Sequence, residues 1–354
     1  MDIKNIQEKL LNWYQSNAKQ FPWRDDPTPY HVWISEIMLQ QTRIEAALPY
    51  YLRFLTELPD VRALAEVPQE KLLKLWEGLG YYSRAKNLQK AAQIIVNEYD
   101  GQLPADFAAL LSLPGIGEYT AGAIASIAYH VPVPAVDGNV MRVLARLSND
   151  NTDVLSNDAK KHFTKLASTL VSAKNPGAFN QALMELGENI CLPNTTPHCS
   201  ECPLKDECEA CACGTAADLP IRIKKTKRRV ENRHVLLVIT RSEPALLLLH
   251  RRGDNGLLGG MWEFPNTKED NPLASIPESV ATTCGYTEQL ASSKHLFSHI
   301  EWRMTGHLYY ADEAVPLPSD YCWATLEELE DTYPVPGAFQ AYKKLLNSLM
   351  HKES

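Results

Sequence analysis

Apolar positions recur at helical spacing along residues 1–212, and the breaks between successive stretches are sharp. Thr28-Pro29 joins an N-cap residue to a proline at the first helical position and opens the segment YHVWISEIMLQQTRIEAAL, residues 30–48. Within it Trp33 and Ile37, and Ile34 and Met38, repeat every four residues and predict an apolar face. Glu36, Gln40 and Arg43 fall at i, i+4 and i+7 and predict a polar stripe on another face. Further helices are predicted over residues 71–76, 84–99, 120–129, 139–147 and 179–190. No convincing run of alternating strands precedes residue 220, so this part is expected to be all-α.

Beyond residue 229 the texture changes. Residues 234–240 (HVLLVIT) and 245–249 (ALLLL) are short apolar runs joined by Ser242-Glu243-Pro244, a hairpin signature. Residues 307–311 and 321–324 predict further strands, and residues 339–350 a closing helix. This second part is expected to be α+β, and no internal repeat or low-complexity tract appears.

A chain of 354 residues has room for about two domains. With 45% apolar and 22% charged residues it has the composition of a folded globular protein, neither disordered nor collagen-like. The longest apolar runs fall far short of the ~20 residues needed to cross a bilayer. Charges interrupt the opening MDIKNIQEKL, so secretion is not expected. The net charge of −8 argues against indiscriminate nucleic-acid binding through bulk charge, yet leaves room for a duplex held by backbone amides and a few cations. The exception is local: residues 221–229 carry six basic side chains and no acidic one. This run reads as a solvated linker between the two parts; the sharper alternative is a linker that also touches phosphates.

Three features carry chemistry. Leu113-Pro114-Gly115-Ile116-Gly117 lies between two helical stretches. Its two glycines allow a tight turn that exposes backbone N–H groups at the next helix's N-terminus, a phosphate-sized anion site. Twenty residues beyond Gly117 stands Asp137, in Val136-Asp137-Gly138-Asn139; taken alone, it is an N-cap. Six of the eight cysteines fall within residues 191–213, a spacing suited to metal or iron–sulfur ligation rather than disulfides. Cys191, Cys199, Cys202 and Cys208 are separated by seven, two and five residues and suit a [4Fe–4S] cluster or tetrahedral zinc. Cys211 and Cys213 lie close enough to compete as ligands.

The hairpin and the downstream VDGN together resemble the helix–hairpin–helix base-excision DNA glycosylases, and the cysteines resemble the cluster loop of their endonuclease III branch. The chain departs from that loop in having seven residues rather than six in the first gap, and residues 192–198 lack the Lys or Arg of a DNA-contacting loop. Bifunctional members place a lysine, a Schiff-base nucleophile, where this chain has Tyr119; no lysine occurs between Lys90 and Lys160. The segments FPWR (21–24), WISEIMLQQT (33–42), GLGYYSRAKNL (78–88), LPGIGEYTAG (113–122), PAVDGNVMRVLARL (134–147) and MELGENIC (184–191) are similar to the MutY-type adenine glycosylases over nearly all of residues 1–208.

That resemblance implies a monofunctional enzyme that flips adenine out of duplex DNA, where it is mispaired with 8-oxoguanine or guanine, and hydrolyses its N-glycosidic bond. Glu36 would protonate adenine N7 with help from Tyr119, Asp137 would face the sugar cation, and Asn139 would hold Asp137 or the catalytic water. Trp23, Arg24 and Glu185 would form the adenine pocket. Leu113, Gly115 and Gly117 would contact DNA, Gln40 and Tyr81 would sit beside 8-oxoguanine, and Tyr82 is more readily a core residue. Cys191, Cys199, Cys202 and Cys208 would hold the [4Fe–4S] cluster.

Residues 256–265 (GLLGGMWEFP) resemble the strand entering a Nudix region, but NTKEDNPLAS follows where the acidic, magnesium-binding helix would stand. The second part should therefore recognise rather than hydrolyse, with Phe297-Ser298-His299 as the 8-oxoguanine-sensing loop. The expected organisation is multidomain: an all-α helix–hairpin–helix glycosylase region over 1–220, a linker over 221–232 and an α+β Nudix-like domain over 233–354. The resemblance implies a monomer acting on double-stranded DNA in the bacterial cytoplasm, at the nucleoid, with no membrane partner. The alternatives are an endonuclease III-like glycosylase/lyase, a Nudix hydrolase of oxidised nucleotides and a non-catalytic damage binder.

Overall fold

The structure is a computed structural model describing residues 2–223 and 228–350. Helices run in the order α1 (Ile3–Asn17), α2 (Pro22–Asp25), α3 (Pro29–Leu39), α4 (Ile44–Glu57), α5 (Val61–Glu66), α6 (Gln69–Leu75), α7 (Ser83–Glu98), α8 (Phe107–Ser112), α9 (Glu118–Ala128), α10 (Gly138–Leu147), α11 (Ala159–Leu170), α12 (Pro176–Asn189), α13 (Glu209–Ala212), α14 (Glu278–Ala281), α15 (Leu326–Asp331) and α16 (Gln340–Met350). Strands are β1 (Arg229–Thr240), β2 (Leu247–Arg251), β3 (Trp262–Glu263), β4 (Asn266–Thr267), β5 (Cys284–Leu296), β6 (Ile300–Ala311) and β7 (Tyr321–Ala324). Two compact units emerge, one of residues 1–66 and 87–225, the other of residues 67–86 and 226–354.

The first unit is helical. Ile6 and Leu10 of α1, Val140, Val143 and Leu144 of α10, Phe163 and Leu170 of α11, and Phe179, Leu183 and Leu186 of α12 share one core. α3 packs on α9. Thr28 Oγ1 accepts the His31 amide at 3.2 Å, so the expected cap and proline start α3 as read. The helix expected over residues 30–48 is interrupted, however. α3 ends at Leu39, Gln41 takes φ +63°, and α4 begins at Ile44. The Gln40 amide there donates to Thr120 Oγ1 of α9 at 3.3 Å, a tertiary contact that periodicity could not anticipate.

In the second unit a mixed sheet has the order β3-β2-β1-β6-β5, with β4 on β1 and β7 on β2. β1 and β2 form the expected antiparallel hairpin, and β1 runs parallel to β6 from Arg229↔Ile300 to Thr240↔Ala311. Alternate residues of β1 serve opposite faces: Val235, Leu237 and Ile239 pack with α16, whereas Leu236 and Val238 pack with Val280 and Tyr309. Burial on both faces explains why this strand reads as a continuous apolar run. The stretch expected as a linker, residues 221–232, ends inside β1, which already begins at Arg229; its Lys224, Lys225 and Lys227 lie outside the described residues. β5, the edge strand, was not anticipated. Residues 266–281 form β4, a turn and the four-residue α14 rather than a long acidic helix.

Candidate active site

A cavity of about 470 Å³ opens in the helical unit and is lined by Trp23, Arg24, Glu36, Gln40, Tyr119, Asp137, Asn139, Gln181, Met184, Glu185 and Glu188 among others. The predicted stripe of Glu36, Gln40 and Arg43 thus faces this cavity rather than solvent, although Arg43 lies past the end of the helix. Glu36 is only 8% exposed, and Tyr119, in the first turn of α9, donates its hydroxyl to Glu36 Oε2 at 2.5 Å. Burial pushes the Glu36 carboxyl up to about 7; the Tyr119 hydrogen bond works against that rise and nearby Asp137 works with it.

Asp137 caps α10, its Oδ1 accepting the Val140 amide at 2.7 Å. Burial raises its pKa as well, while the amides of Val140 and Asn139 and the charge of Arg142 oppose that rise. The segment leading into Asp137 is tightly held. Asn180, fully buried on α12, accepts the Ala135 amide at 3.1 Å and donates to Val133 O and Ser126 Oγ. Gly122 of α9 lies so close that a Cβ there would sit 2.2 Å from Pro134 O. Asn139 Oδ1 accepts from Arg142 Nη2 at 2.9 Å. Arg142 also reaches Gly187 O and the Cys191 carbonyl, both at 2.8 Å.

On the opposite wall Glu185, 2% exposed, receives Arg24 Nη1 at 2.6 Å and the Lys19 amide at 3.1 Å on Oε1. Arg24 is stacked over the Tyr14 and Phe21 rings, and Trp23 lies against Phe21 and Tyr51. The second oxygen, Glu185 Oε2, is buried and has no hydrogen-bond partner among the described residues. A buried, unsatisfied carboxylate oxygen in a cavity wall is costly unless a donor arrives there.

The hairpin joins α8 to α9. Gly115, at φ +78°, and Gly117, which caps α9, are exposed, whereas Leu113 is 3% exposed and turns its side chain into the core. In the second unit the turn between β5 and β6 presents Phe297, Ser298 and His299. Phe297 packs edge-on against Trp302, Arg228 Nε donates to its carbonyl at 3.1 Å, and Arg229 N donates to His299 O. The structure brings two sequence-predicted residues together here: Tyr81 Oη lies 2.9 Å from Ser298 Oγ. Tyr81 takes φ +49° and is exposed, while Tyr82 is buried.

Cys191, Cys199, Cys202 and Cys208 surround a second cavity, together with Arg146, Lys205 and Cys211. Arg146 Nη1 donates to Cys191 Sγ at 3.3 Å, and backbone amides donate to the sulfurs of Cys202 and Cys208. Burial pushes the Cys202 thiol up to about 12, so a thiolate there needs the positive charge of a metal. Among the described residues no group of three or more ligands is drawn together as a single-ion site. Thiols around one cavity are the donor type that an iron–sulfur cluster or zinc takes.

Sequence reasoning missed Arg142, Arg146 and Asn180. The 3-residue spacing from Asn139 to Arg142 was a usable signal; Asn180 carried none, because its partners are 45 to 54 residues away.

A carboxylate pair in a helical pocket, an exposed Gly-rich hairpin and a four-cysteine loop define a base-excision DNA glycosylase of the helix–hairpin–helix class. Residues 34–169 match the HhH-GPD superfamily of base excision DNA repair proteins, and residues 234–345 match the NUDIX domain. The adenine DNA glycosylase of Mus musculus is 34% identical over 92% of this chain and 75% of its own length. That of Buchnera aphidicola subsp. Acyrthosiphon pisum is 35% identical over 82% of each chain. The chain belongs to the adenine DNA glycosylase family, DNA-repair enzymes that hydrolyse N-glycosyl bonds. Among solved structures, a thermostable thymine-DNA glycosylase superposes with a TM-score of 0.55 at 28% identity, over 59% of this chain and 96% of that one. Endonuclease III in a non-covalent DNA complex shares the fold with a TM-score of 0.51 at 23% identity, over 60% of this chain and 98% of its own. No described helix is long and apolar enough to cross a membrane.

Proposed function

We propose that this chain, acting as a monomer on chromosomal DNA in the bacterial cytoplasm, removes adenine paired with 8-oxoguanine or guanine by monofunctional hydrolysis. The observation that carries the reading is the short Tyr119–Glu36 hydrogen bond beside Asp137 in a cavity large enough for a flipped base. A carboxylic acid with a pKa near 7 holds its proton at working pH and can deliver it to adenine N7. Protonation makes the base a neutral leaving group, and the C1′–N9 bond breaks to leave an oxocarbenium-like sugar. Asp137, with amides and Arg142 favouring its ionised form, faces that cation. Asn139, itself held by Arg142, orients the water that adds to C1′. Adenine and an abasic site are the products, and one water is consumed.

Glu185 Oε2, short of a donor, suits the exocyclic amine of adenine, and Arg24 fixes its geometry. No lysine lines the cavity among the described residues, so a Schiff base has no amine to form on. Exposed Gly115 and Gly117 at the head of α9 suit a DNA phosphate, and buried Leu113 shapes that turn from within. Gln40 lines the cavity beside Thr120, and Tyr81 with Ser298 in the Phe297–His299 turn supports an 8-oxoguanine-reading site in the second unit. In domain terms the proposal is a glycosylase region over 1–220, a connection through 221–232 and a recognition domain over 233–354, to which residues 67–86 add the Tyr81 loop.

Cys191, Cys199, Cys202 and Cys208 fit a [4Fe–4S] cluster. When bound, it would tie the end of α12 to the 199–213 segment and serve a structural role.

Single-turnover cleavage of duplexes carrying adenine opposite 8-oxoguanine, guanine or thymine tests the reading. Strand breaks that need alkali and occur in the first two duplexes but not the third are expected. Breaks without alkali would overturn the monofunctional mechanism, and equal cleavage of the thymine duplex would overturn the mispair specificity.

A further inference from the structure

One cysteine near the cluster site remains without a role. Cys208 caps α13 and Cys211 lies three residues on, a spacing that puts both on one side of that single turn. Cys211 lines the same cavity as the four expected ligands, Cys199 among them. Its backbone is well anchored, because the neighbouring Ala210 is fully buried against Ala216 and Leu219. Cys213, two residues further, is exposed and does not reach the cavity. Cys199 follows the seven-residue stretch 192–198, one longer than the usual loop, and sits in a short 3-10 turn with no buried residue.

We propose that Cys211 is a fifth thiol of the cluster site and takes the iron that Cys199 would hold whenever Cys199 is lost or modified. The two sulfurs are chemically identical donors, so the exchange needs only position. A χ1 change moves a cysteine sulfur by roughly 3 Å, a useful reach inside a small shared cavity. Where Cys199 is absent, an iron–thiolate bond forms at Cys211 and none breaks; where its sulfur has been alkylated, the bond from that sulfur to iron breaks as the one from Cys211 forms. In both cases Cys211 gives up its proton to solvent and no electron is transferred.

This rests on the cluster reading above, and the test separates the two. The full-length chain is prepared without oxygen as wild type, Cys199→Ser, Cys211→Ser and the double variant. Iron and acid-labile sulfide are counted, the absorbance near ~410 nm is recorded, and cysteines left open to iodoacetamide are mapped. Cys199→Ser should keep at least about half of the wild-type iron and sulfide, Cys211→Ser all of it, and the double variant should fall several-fold below either. In the iron-loaded fraction, Cys211 should be alkylated in wild type and protected in Cys199→Ser. Equal iron in Cys199→Ser and the double variant would overturn the proposal, as would a Cys211 still alkylated in loaded Cys199→Ser. Wild-type protein without iron and sulfide would instead remove the cluster reading itself.

Discussion

At Glu36 a single carboxyl holds the balance between folding and chemistry. Its pKa rises from 4.5 to about 7 because burial disfavours the charged form more than the Tyr119 hydroxyl favours it. The protonated form is the acid, so the single-turnover rate should fall as pH rises through about 7. The same shift costs stability in that window. The folded state holds the proton more tightly than the unfolded chain, so this contribution is complete below the unfolded value and is lost as pH rises through the folded one. Urea unfolding of Glu36→Gln should therefore gain on wild type by on the order of 3 kcal/mol between pH 4 and pH 8, while excision is abolished. A constant difference in stability across that range would mean that Glu36 titrates alike in the folded and unfolded chain and that burial does not raise its pKa. Tyr119→Phe removes the bond that lowers the pKa, so its falling limb should move to higher pH with a reduced maximum. A shift to lower pH would contradict the arrangement. The i, i+4 stripe and the VDGN segment make Glu36 and Asp137 visible in the sequence only as a polar face and an N-cap, and it is the family resemblance that gives them roles. The unpaired oxygen of Glu185 is not visible there, because it depends on how Arg24 and the Lys19 amide share the other oxygen.

Between elements, the position of Asp137 depends on how closely the segment before α10 approaches α9. Gly122 leaves no room for a methyl group against Pro134 O, and backbone cannot yield as a flexible side chain would. Gly122→Ala should destabilise the chain by ~1–3 kcal/mol, read from urea midpoints, and slow excision far more than it weakens duplex binding. Asn180→Ala strips two hydrogen bonds from the same segment and one from Ser126 of α9, and leaves the Ala135 amide buried without its acceptor, a loss of ~1–3 kcal/mol. Unchanged excision by both variants would show that Asp137 holds its place without them. The small residues Ala121, Gly122, Ala123 and Ala125 of α9 permit close packing, but do not say what packs there. Periodicity located α3 and its cap, yet extended that helix nine residues beyond its end, because the turn at Gln41, next to the Gln40–Thr120 contact, is marked by no local breaker in the sequence. β5 stayed hidden for the opposite reason. An exposed edge strand buries almost nothing, so its residues show no alternation, and its pairing is dictated by β6.

At the scale of the molecule the compact units do not follow the chain. Residues 67–86 lie between helices of the first unit in sequence but pack with the second, where Lys74 Nζ donates to Leu329 O and Tyr333 O and Lys343 pairs with Glu77 at 3.3 Å. Composition and motif order read this stretch as part of the helical region, since nothing local in it says which core it joins. The consequence is that a loop from the first half of the sequence delivers Tyr81 to Ser298, with a left-handed backbone at Tyr81 to aim the ring. If these two residues form one reading site, their effects on lesion choice must be coupled. Ser298→Ala and Tyr81→Phe should each reduce the preference for adenine opposite 8-oxoguanine over adenine opposite guanine by about tenfold, equivalent to ~1.4 kcal/mol. The double variant should lose little more than either single one, because removing one hydroxyl already breaks the bond between them. Single-turnover rates on the two duplexes measure this directly. Additive losses would mean that Tyr81 and Ser298 touch the DNA independently, and their contact would then be incidental to recognition.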